Sequence, residues 1–326
     1  MKTKLTFNNL FLSLFIGTLI IAATTSCSKD DDPVPVSNTI TDKVIADASF
    51  SLLKKSVVKA GLDATLKGTG PFTVFAPDDA AFAASGISSA AIDGLTADQL
   101  KGILLYHTLA SKILAADVPA GPNAKLLTVN SPADSIFVTK NGNGVFVNGI
   151  KVTAADITVD NGVIHKLQKV LIPASGNVVE TAIATSGGDN GLDSLVVAAV
   201  RADAAAPGLL TTLGSVTLTV FAPTNKAFRD LLTALSLNNI SQIPINTLIA
   251  VLQYHVVPGR AFSSDLTNGN LAMLAGGTTT TNKTNGTGGG PTILGNGNGG
   301  NKSDIIATNV LARNGVVHVI NRVLLP

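Results

Sequence analysis

Every histidine and every tyrosine in this chain falls inside one of two copies of a single pattern. The first copy runs Thr73-Val74-Phe75-Ala76-Pro77 with Phe82 behind it, then Tyr106-His107, then Val163-Ile164-His165, and closes on Val170-Leu171-Ile172-Pro173. The second runs Thr219-Val220-Phe221-Ala222-Pro223 with Phe228, then Tyr254-His255, then Val317-His318, and closes on Val323-Leu324-Leu325-Pro326. The offset is 221 − 75 = 146 at the first Phe, 255 − 107 = 148 at the first His and 318 − 165 = 153 at the second. A nearly constant offset with small insertions predicts two homologous domains in tandem, and 326 residues hold two domains of ordinary size. The duplication also assigns the rare reactive side chains to what reads as scaffold.

Composition narrows the function classes. Charged residues make up 13% and apolar ones 45%, enough for packed cores. Acidic residues are almost all Asp, Glu180 being the one Glu. Of 23 basic residues, Lys2 and Lys4 lie in a segment expected to be removed, which leaves 21 against 21 acidic. A neutral chain with no basic run interleaved with aromatics does not neutralise phosphates, so nucleic-acid binding is not expected.

The N-terminus reads as an address. Lys2 and Lys4 precede an apolar stretch from Leu10 to Ala23, short for a membrane span and suited to a signal sequence. Cys27, the one cysteine, follows Thr24-Thr25-Ser26 and resembles the lipobox of bacterial lipoproteins, in which that Cys is acylated and becomes the N-terminus. The pattern favours Leu where this chain has Thr24; a plain secretory signal is the alternative. Ser28-Lys29-Asp30-Asp31-Asp32 resembles the acidic tether that sends Bacteroidetes lipoproteins to the cell surface, and is equally readable as a solvated spacer. The expected organisation is a signal peptide over 1–26, a lipidated Cys27 and tether over 27–39, domains over 40–173 and 179–326, and a linker over 174–178. The expected location is the outer membrane, lipid-anchored and facing outward, with the periplasmic face as the alternative.

Each repeat has the same local logic. Leu100, Ile103, Leu104 and His107, like Leu248, Val251, Leu252 and His255, fall on one helical face, so both His are expected in the core, bonded to backbone or a neighbouring side chain. Thr96 and Gln99 stand at capping-box spacing. Asp78 and Thr224 follow the Ala-Pro closures as N-caps of short helices that aim Phe82 and Phe228 inward. Helices are also expected over Asp42–Lys59 and Leu192–Ala202. Asn148-Gly149 predicts a type I′ hairpin between Val145–Val147 and Ile150–Val152. Asn161-Gly162 and Asn314-Gly315 turn the chain into closing strands that carry His165 and His318. Residues 276–302, nearly all Gly, Thr, Asn and Lys apart from Pro291-Thr292-Ile293-Leu294, read as a long, mobile hairpin loop that buries no core.

Taken together these strings resemble the fasciclin (FAS1) domain, twice, across residues 40–326. The resemblance implies an α+β fold: two tandem domains, each a β-sandwich or wedge flanked by several short α-helices. Phe75, Pro77, Phe82, His165, Phe221, Pro223, Phe228 and His318 then belong to its structural motif. It implies no cofactor, no metal and no catalysis, with adhesion and matrix contacts as the usual role. In animal members the Tyr-His region and an Asp-Ile before the last Asn-Gly turn are tied to integrin recognition. Carried over, the interaction candidates are Tyr106, His107, Tyr254, His255, Asp156-Ile157 and Asp304-Ile305; the structural reading of the Asp-Ile pairs is an Asp bonding backbone near a strand start. The second pair departs from the pattern, with Ser303 interrupting it and Val310-Leu311-Ala312-Arg313 inserted before Asn314.

Three functions are weighed. The first is a surface-anchored, non-enzymatic adhesion lipoprotein that binds an extracellular or cell-surface protein or glycan and meets the membrane through its N-terminal lipid. The second is a glycan or small-ligand binding lipoprotein, which the lack of Trp disfavours. The third is a metal-dependent hydrolase, which needs each His pair to converge with an Asp.

Overall fold

The computed structural model describes residues 37–130 and 134–326. Cys27, the signal peptide over 1–26 and most of the tether lie outside the described residues.

In the first repeat three helices, α1 (Ile40–Ala46), α2 (Ser51–Lys59) and α3 (Asp63–Lys67), lead into β1 (Phe72–Pro77). Helices α4 (Asp79–Ala84), α5 (Ser89–Gly94) and α6 (Ala97–Tyr106) precede β2 (Thr108–Leu109), β3 (Gly121–Leu127), β4 (Ser135–Asn141), β5 (Gly144–Val147), β6 (Ile150–Val159) and β7 (Gly162–Leu167). The second repeat follows the same plan: α7 (Val178–Ala184), α8 (Asp193–Ala205) and α9 (Leu209–Ser215), β8 (Leu218–Pro223), α10 (Asn225–Ala234) and α11 (Ile245–Gln253). Its remaining strands are β9 (Val256–Pro258), β10 (Gly269–Ala272), β11 (Thr278–Asn282), β12 (Thr292–Leu294), β13 (Ser303–Ala312) and β14 (Gly315–Ile320). The two seven-stranded sheets have one topology, β2-β1-β7-β6-β5-β4-β3 and, read from the other edge, β10-β11-β12-β13-β14-β8-β9. The Thr-Val-Phe-Ala-Pro strand runs parallel to the closing strand in both, with Phe75 opposite His165 and Phe221 opposite His318.

Each sheet curls on itself. Phe75 of β1, Ile136 and Val138 of β4, Val147 of β5 and Leu167 of β7 meet in one cluster inside the curl. A second cluster (Leu53, Val57, Val74, Phe82, Leu100, Ile164) fills the space between the sheet and the helices. The same division recurs in the second repeat. The result is the expected α+β class, a mixed sheet with several short helices in each repeat.

Local signals act as expected at most caps and turns. Thr96 and Gln99 form a capping box, and the Asp78 and Thr224 side chains accept from the Ala81 and Ala227 amides. Asn148 and Gly149 have φ of 50° and 74°, the two positive values that a type I′ turn requires. Two expectations need correction. The helix expected over Asp42–Lys59 breaks at Asp47, whose carboxylate caps a separate 3₁₀ turn by accepting from the Ser49 amide. Asn177 caps α7 and Val178 opens it, so a helix begins within the stretch read as linker.

The larger correction concerns residues 276–302. This segment supplies β11 and β12, interior strands of the second sheet, with Thr279, Thr281, Thr292 and Ile293 buried. Ladder hydrogen bonds and β-branched Thr, rather than a run of large apolar residues, hold it. Tyr254 Oη donates to Thr278 O at 2.6 Å, and Asn298 bonds Val323 O and the Leu325 amide.

Candidate functional site

The Tyr-His element ends its helix rather than lying within it. His107 is the C-cap of α6: its Nδ1–H donates to Ile103 O at 2.8 Å, and its Nε2 accepts from the Leu171 amide at 2.9 Å. His255, one residue past the Tyr254 C-cap of α11, makes the same two bonds, with Val251 O at 2.6 Å and the Leu324 amide at 2.8 Å. A carbonyl only accepts and an amide only donates, so both rings are neutral with the proton on Nδ1. Burial pushes the pKa of each down to about 4. Each ring ties the last helical turn to the Val-Leu segment that closes its repeat. Beside it Tyr106 donates to Ser135 O and accepts from the Asn148 side chain, and the burial of its ring pushes its hydroxyl up to about 12.

The second His of each repeat is wired in the opposite sense. His165 stacks on Phe75 at 5.4 Å, donates from Nε2 to Ile113 O and accepts at Nδ1 from the Asp156 amide. His318 stacks on Phe221 at 5.4 Å, donates to Ala261 O and accepts from the Asn309 amide. Burial lowers the His318 pKa to about 4. The Asp156 carboxylate lies 3.9 Å from His165 Nδ1, but the Asp156 amide already fills that nitrogen, so the contact is no ion pair.

These bonds realign the Asp-Ile candidates. Asp156 and Asn309 occupy one position: both sit at a strand bulge with φ of 60° and 63°, and their side chains accept from the Ala115 and Ser263 amides. Their offset, 309 − 156 = 153, is that of the second His. Asp304-Ile305 is therefore not the counterpart of Asp156-Ile157, although the dipeptides match. The Asp304 carboxylate pins the 283–291 turn by accepting from the Thr287 hydroxyl and amide, and those bonds hold its pKa low.

The candidates also separate by burial. Tyr106, His107, Tyr254, His255 and Ile305 are core residues. None presents a surface to a partner, which corrects their reading as contact residues. Phe75, Pro77, Phe82, Phe221, Pro223 and Phe228 are buried as well. Asp156 keeps an accessible side chain, and Ile157 and Asp304 are half-buried. All four rings have both nitrogens engaged by backbone groups, leaving no lone pair free for a proton relay or a cation.

Sequence reasoning missed the junction between repeats. The loop after β9 carries Arg260, whose guanidinium lies 4.1 Å from the centre of the Phe137 ring and donates to the carbonyls of Ala312, Arg313 and Gly315. Phe262 beside it is fully buried, 6.2 Å from Phe137. Thr139 donates to Asp265, Asn141 to Ser264 O and Asn123 to Arg260 O, all across the junction. Burial lowers the Arg260 pKa to about 10, which leaves it cationic at neutral pH. At the 148 offset Arg260 and Phe262 replace Lys112 and Leu114 of the first repeat, the one signal in the sequence that this loop does a different job. A cleft of about 730 Å³ opens beside the junction, lined in part by Gln168, Ser175, Thr181 and Thr308. The buried Thr181 hydroxyl has no hydrogen-bond partner.

Comparison with known proteins agrees with this duplication. The fasciclin domain family model matches twice, at residues 48–173 and 196–326. "Protein sll1483" of Synechocystis is 38% identical over 137 residues, covering 41% of this chain and 73% of that protein. The transforming growth factor-beta-induced protein ig-h3 of Sus scrofa is 34% identical over 146 residues, covering 45% of this chain and 21% of its own length. Among solved structures, a FAS1 domain pair from the insect cell adhesion molecule Fasciclin I aligns with 88% of this chain and 96% of its own, at 18% identity and a TM-score of 0.39. With both copies of the motif matched over most of its length, this chain belongs to the fasciclin domain family.

Proposed function

We propose that this chain is a surface-anchored adhesion lipoprotein without enzymatic activity, holding matrix, cell-surface or envelope partners through its two fasciclin domains. Two fasciclin domains make up most of the chain, and the fasciclin resemblance implies adhesion and matrix contacts as the usual role. The observation that carries the reading is the commitment of every histidine ring to backbone groups, which leaves surface recognition as what the pair offers. Acylation of Cys27 would tether the pair to the outer membrane, facing outward. The test exposes the purified chain to arrays of matrix proteins, cell envelopes and glycans. Saturable binding to proteins or cell surfaces supports adhesion; no binding to any of them rejects it. Labelling with radioactive palmitate, lost on Cys27→Ser, tests the anchor separately.

A second reading is a lipoprotein that binds glycans or another small polar ligand. The cleft beside the junction favours it, being of ordinary ligand-site size, with an unpartnered Thr181 hydroxyl and no carboxylate in its lining. Retention on glycans alone would select this reading.

A further inference from the structure

The two repeats differ in how well the helices cover the centre of the sheet. Equivalent positions follow from equivalent hydrogen bonds. Asn161 accepts from the Ile40 amide and donates to Leu66 O, as Asn314 does with Val178 and Leu213. Asp79 accepts from the Leu52 amide as Asn225 does from Ser194. Val44 therefore corresponds to Ala182, Val57 to Ala199, Leu66 to Leu213, and Val74 of β1 to Val220 of β8. The four first-repeat residues are all buried; all four counterparts are half-exposed. Two Val→Ala replacements have removed side-chain volume and opened the helical layer down to the central strand.

The opening is a groove between α7, α8, α9 and α11 with Val220 at its floor. It holds a cavity of about 90 Å³ and measures about 790 Å³ counting its mouth. Roughly 10–15 Å³ of such space takes one water-sized group, so the deep part admits several methylenes. No charged side chain lines it. Gln253 and His255 are its polar residues, and both His255 nitrogens are taken. Around the mouth Ile183, Val200 and Leu274 stay 55%, 54% and 46% exposed. Helices α8 and α9 together match a membrane span in length and apolarity but bend by 117° between them, so they wrap the groove instead of forming one rod. An occupant here has an uncharged, narrow, flexible buried part.

We infer that this groove binds an unbranched aliphatic chain, such as the acyl tail of a fatty acid or lysolipid. The site is independent of the adhesion reading and stands or falls without it.

The test titrates the full chain with sodium decanoate, using calorimetry and methyl NMR of the Val and Leu side chains. Saturable binding is expected, with shifts concentrated at Val220, Leu213 and Leu252. A182V/A199V restores the side chains of the first repeat and fills the floor. Each buried methylene contributes roughly a fourfold factor in affinity, so excluding two of them weakens binding more than about tenfold. An unchanged or raised Tm confirms that the variant folds. If it does not fold, the wild-type NMR map decides by itself. Absence of saturable binding, shifts elsewhere on the chain, or equal affinity in the folded variant overturns the proposal. So does association with phosphatidylcholine vesicles, or dimerisation, without decanoate binding; either would make the patch a membrane-facing or self-association surface.

Discussion

Acidification is expected to destabilise this fold through three buried histidine rings. His107, His255 and His318 ionise near pH 6.5 in an unfolded chain and at about 4 when folded. Desolvation is the first cause in each case. Protonation of His107 or His255 also turns Nε2 from acceptor to donor, against the Leu171 or Leu324 amide. Between pH 6.5 and 4 the unfolded chain therefore binds more protons than the folded one, and stability falls as pH falls. The contribution is fully present above pH 6.5 and gone by about 4. At ~1.36 kcal/mol per pH unit each ring loses about 2 kcal/mol by pH 5, on the order of 6 kcal/mol for the three. That is comparable to the whole stability of an ordinary domain, about 5–15 kcal/mol. Asp47, Asp193 and Asp304, whose pKa values are lowered from 3.8, lose their contribution only at lower pH, so the upper window belongs to the rings. Urea unfolding followed by far-ultraviolet circular dichroism at pH 7.5, 6.5, 5.5 and 5.0 measures the slope. Stability constant to within about 1 kcal/mol across that range would refute the neutral, doubly bonded assignment of the rings.

Arg260→Ala removes three hydrogen bonds to carbonyls and the stacking on Phe137, and is expected to cost about 2–4 kcal/mol; a single cooperative melt should split in two as the repeats uncouple, and an unchanged melt counts against the junction. Asn161→Ala and Asn314→Ala each leave two carbonyls and one amide without their partner and should destabilise by about 2–3 kcal/mol in thermal unfolding. Asp156→Asn copies what Asn309 does in the second repeat and should alter stability by less than about 0.5 kcal/mol, while Asp156→Ala loses the bond from the Ala115 amide and costs about 1 kcal/mol. Loss of cell-surface binding in a stable Asp156→Asn variant would assign the carboxylate to recognition.

The parts of this fold legible in the sequence are those where one residue type has one job. The burial of Tyr-His is legible because its apolar neighbours recur at helical spacing, whereas its place at the helix end is not, since the amide that His107 accepts from lies 64 residues further on. Asn-Gly marks a turn because two positive φ values exclude most other residues. The 276–302 segment was opaque because its order comes from backbone ladders and buried Thr, which composition does not distinguish from a solvated loop. The Asp156 and Asn309 equivalence was hidden by a chance Asp-Ile at 304–305, although the 153 offset already pointed to Asn309. The junction left one faint signal, the exchange of Lys112 and Leu114 for Arg260 and Phe262 at the 148 offset, and nothing pointed to Phe137, which belongs to the other repeat.

A duplicated domain supplies its own control for what the scaffold requires. Positions that keep both the residue type and its hydrogen bonds at constant offset, such as His107 with His255 and Asn161 with Asn314, are fixed by folding and say nothing about partners. Positions that differ while the backbone around them stays the same are free of that demand. Three such departures stand out. Lys112 and Leu114 give way to Arg260 and Phe262, which lock the second repeat onto the first. Val44 and Val57 give way to Ala182 and Ala199, which open the helical layer. Asp156 gives way to Asn309, which keeps the same acceptor bond, drops the charge and donates from its Nδ2 to Gly149 O across the junction. In the first repeat that charge remains solvent-accessible, with no Lys or Arg paired to it among the described residues. Under the proposed adhesive function, Asp156→Asn is therefore expected to change binding to cell-surface proteins while leaving stability unchanged, and equal binding by the folded variant would exclude the Asp156 charge from recognition.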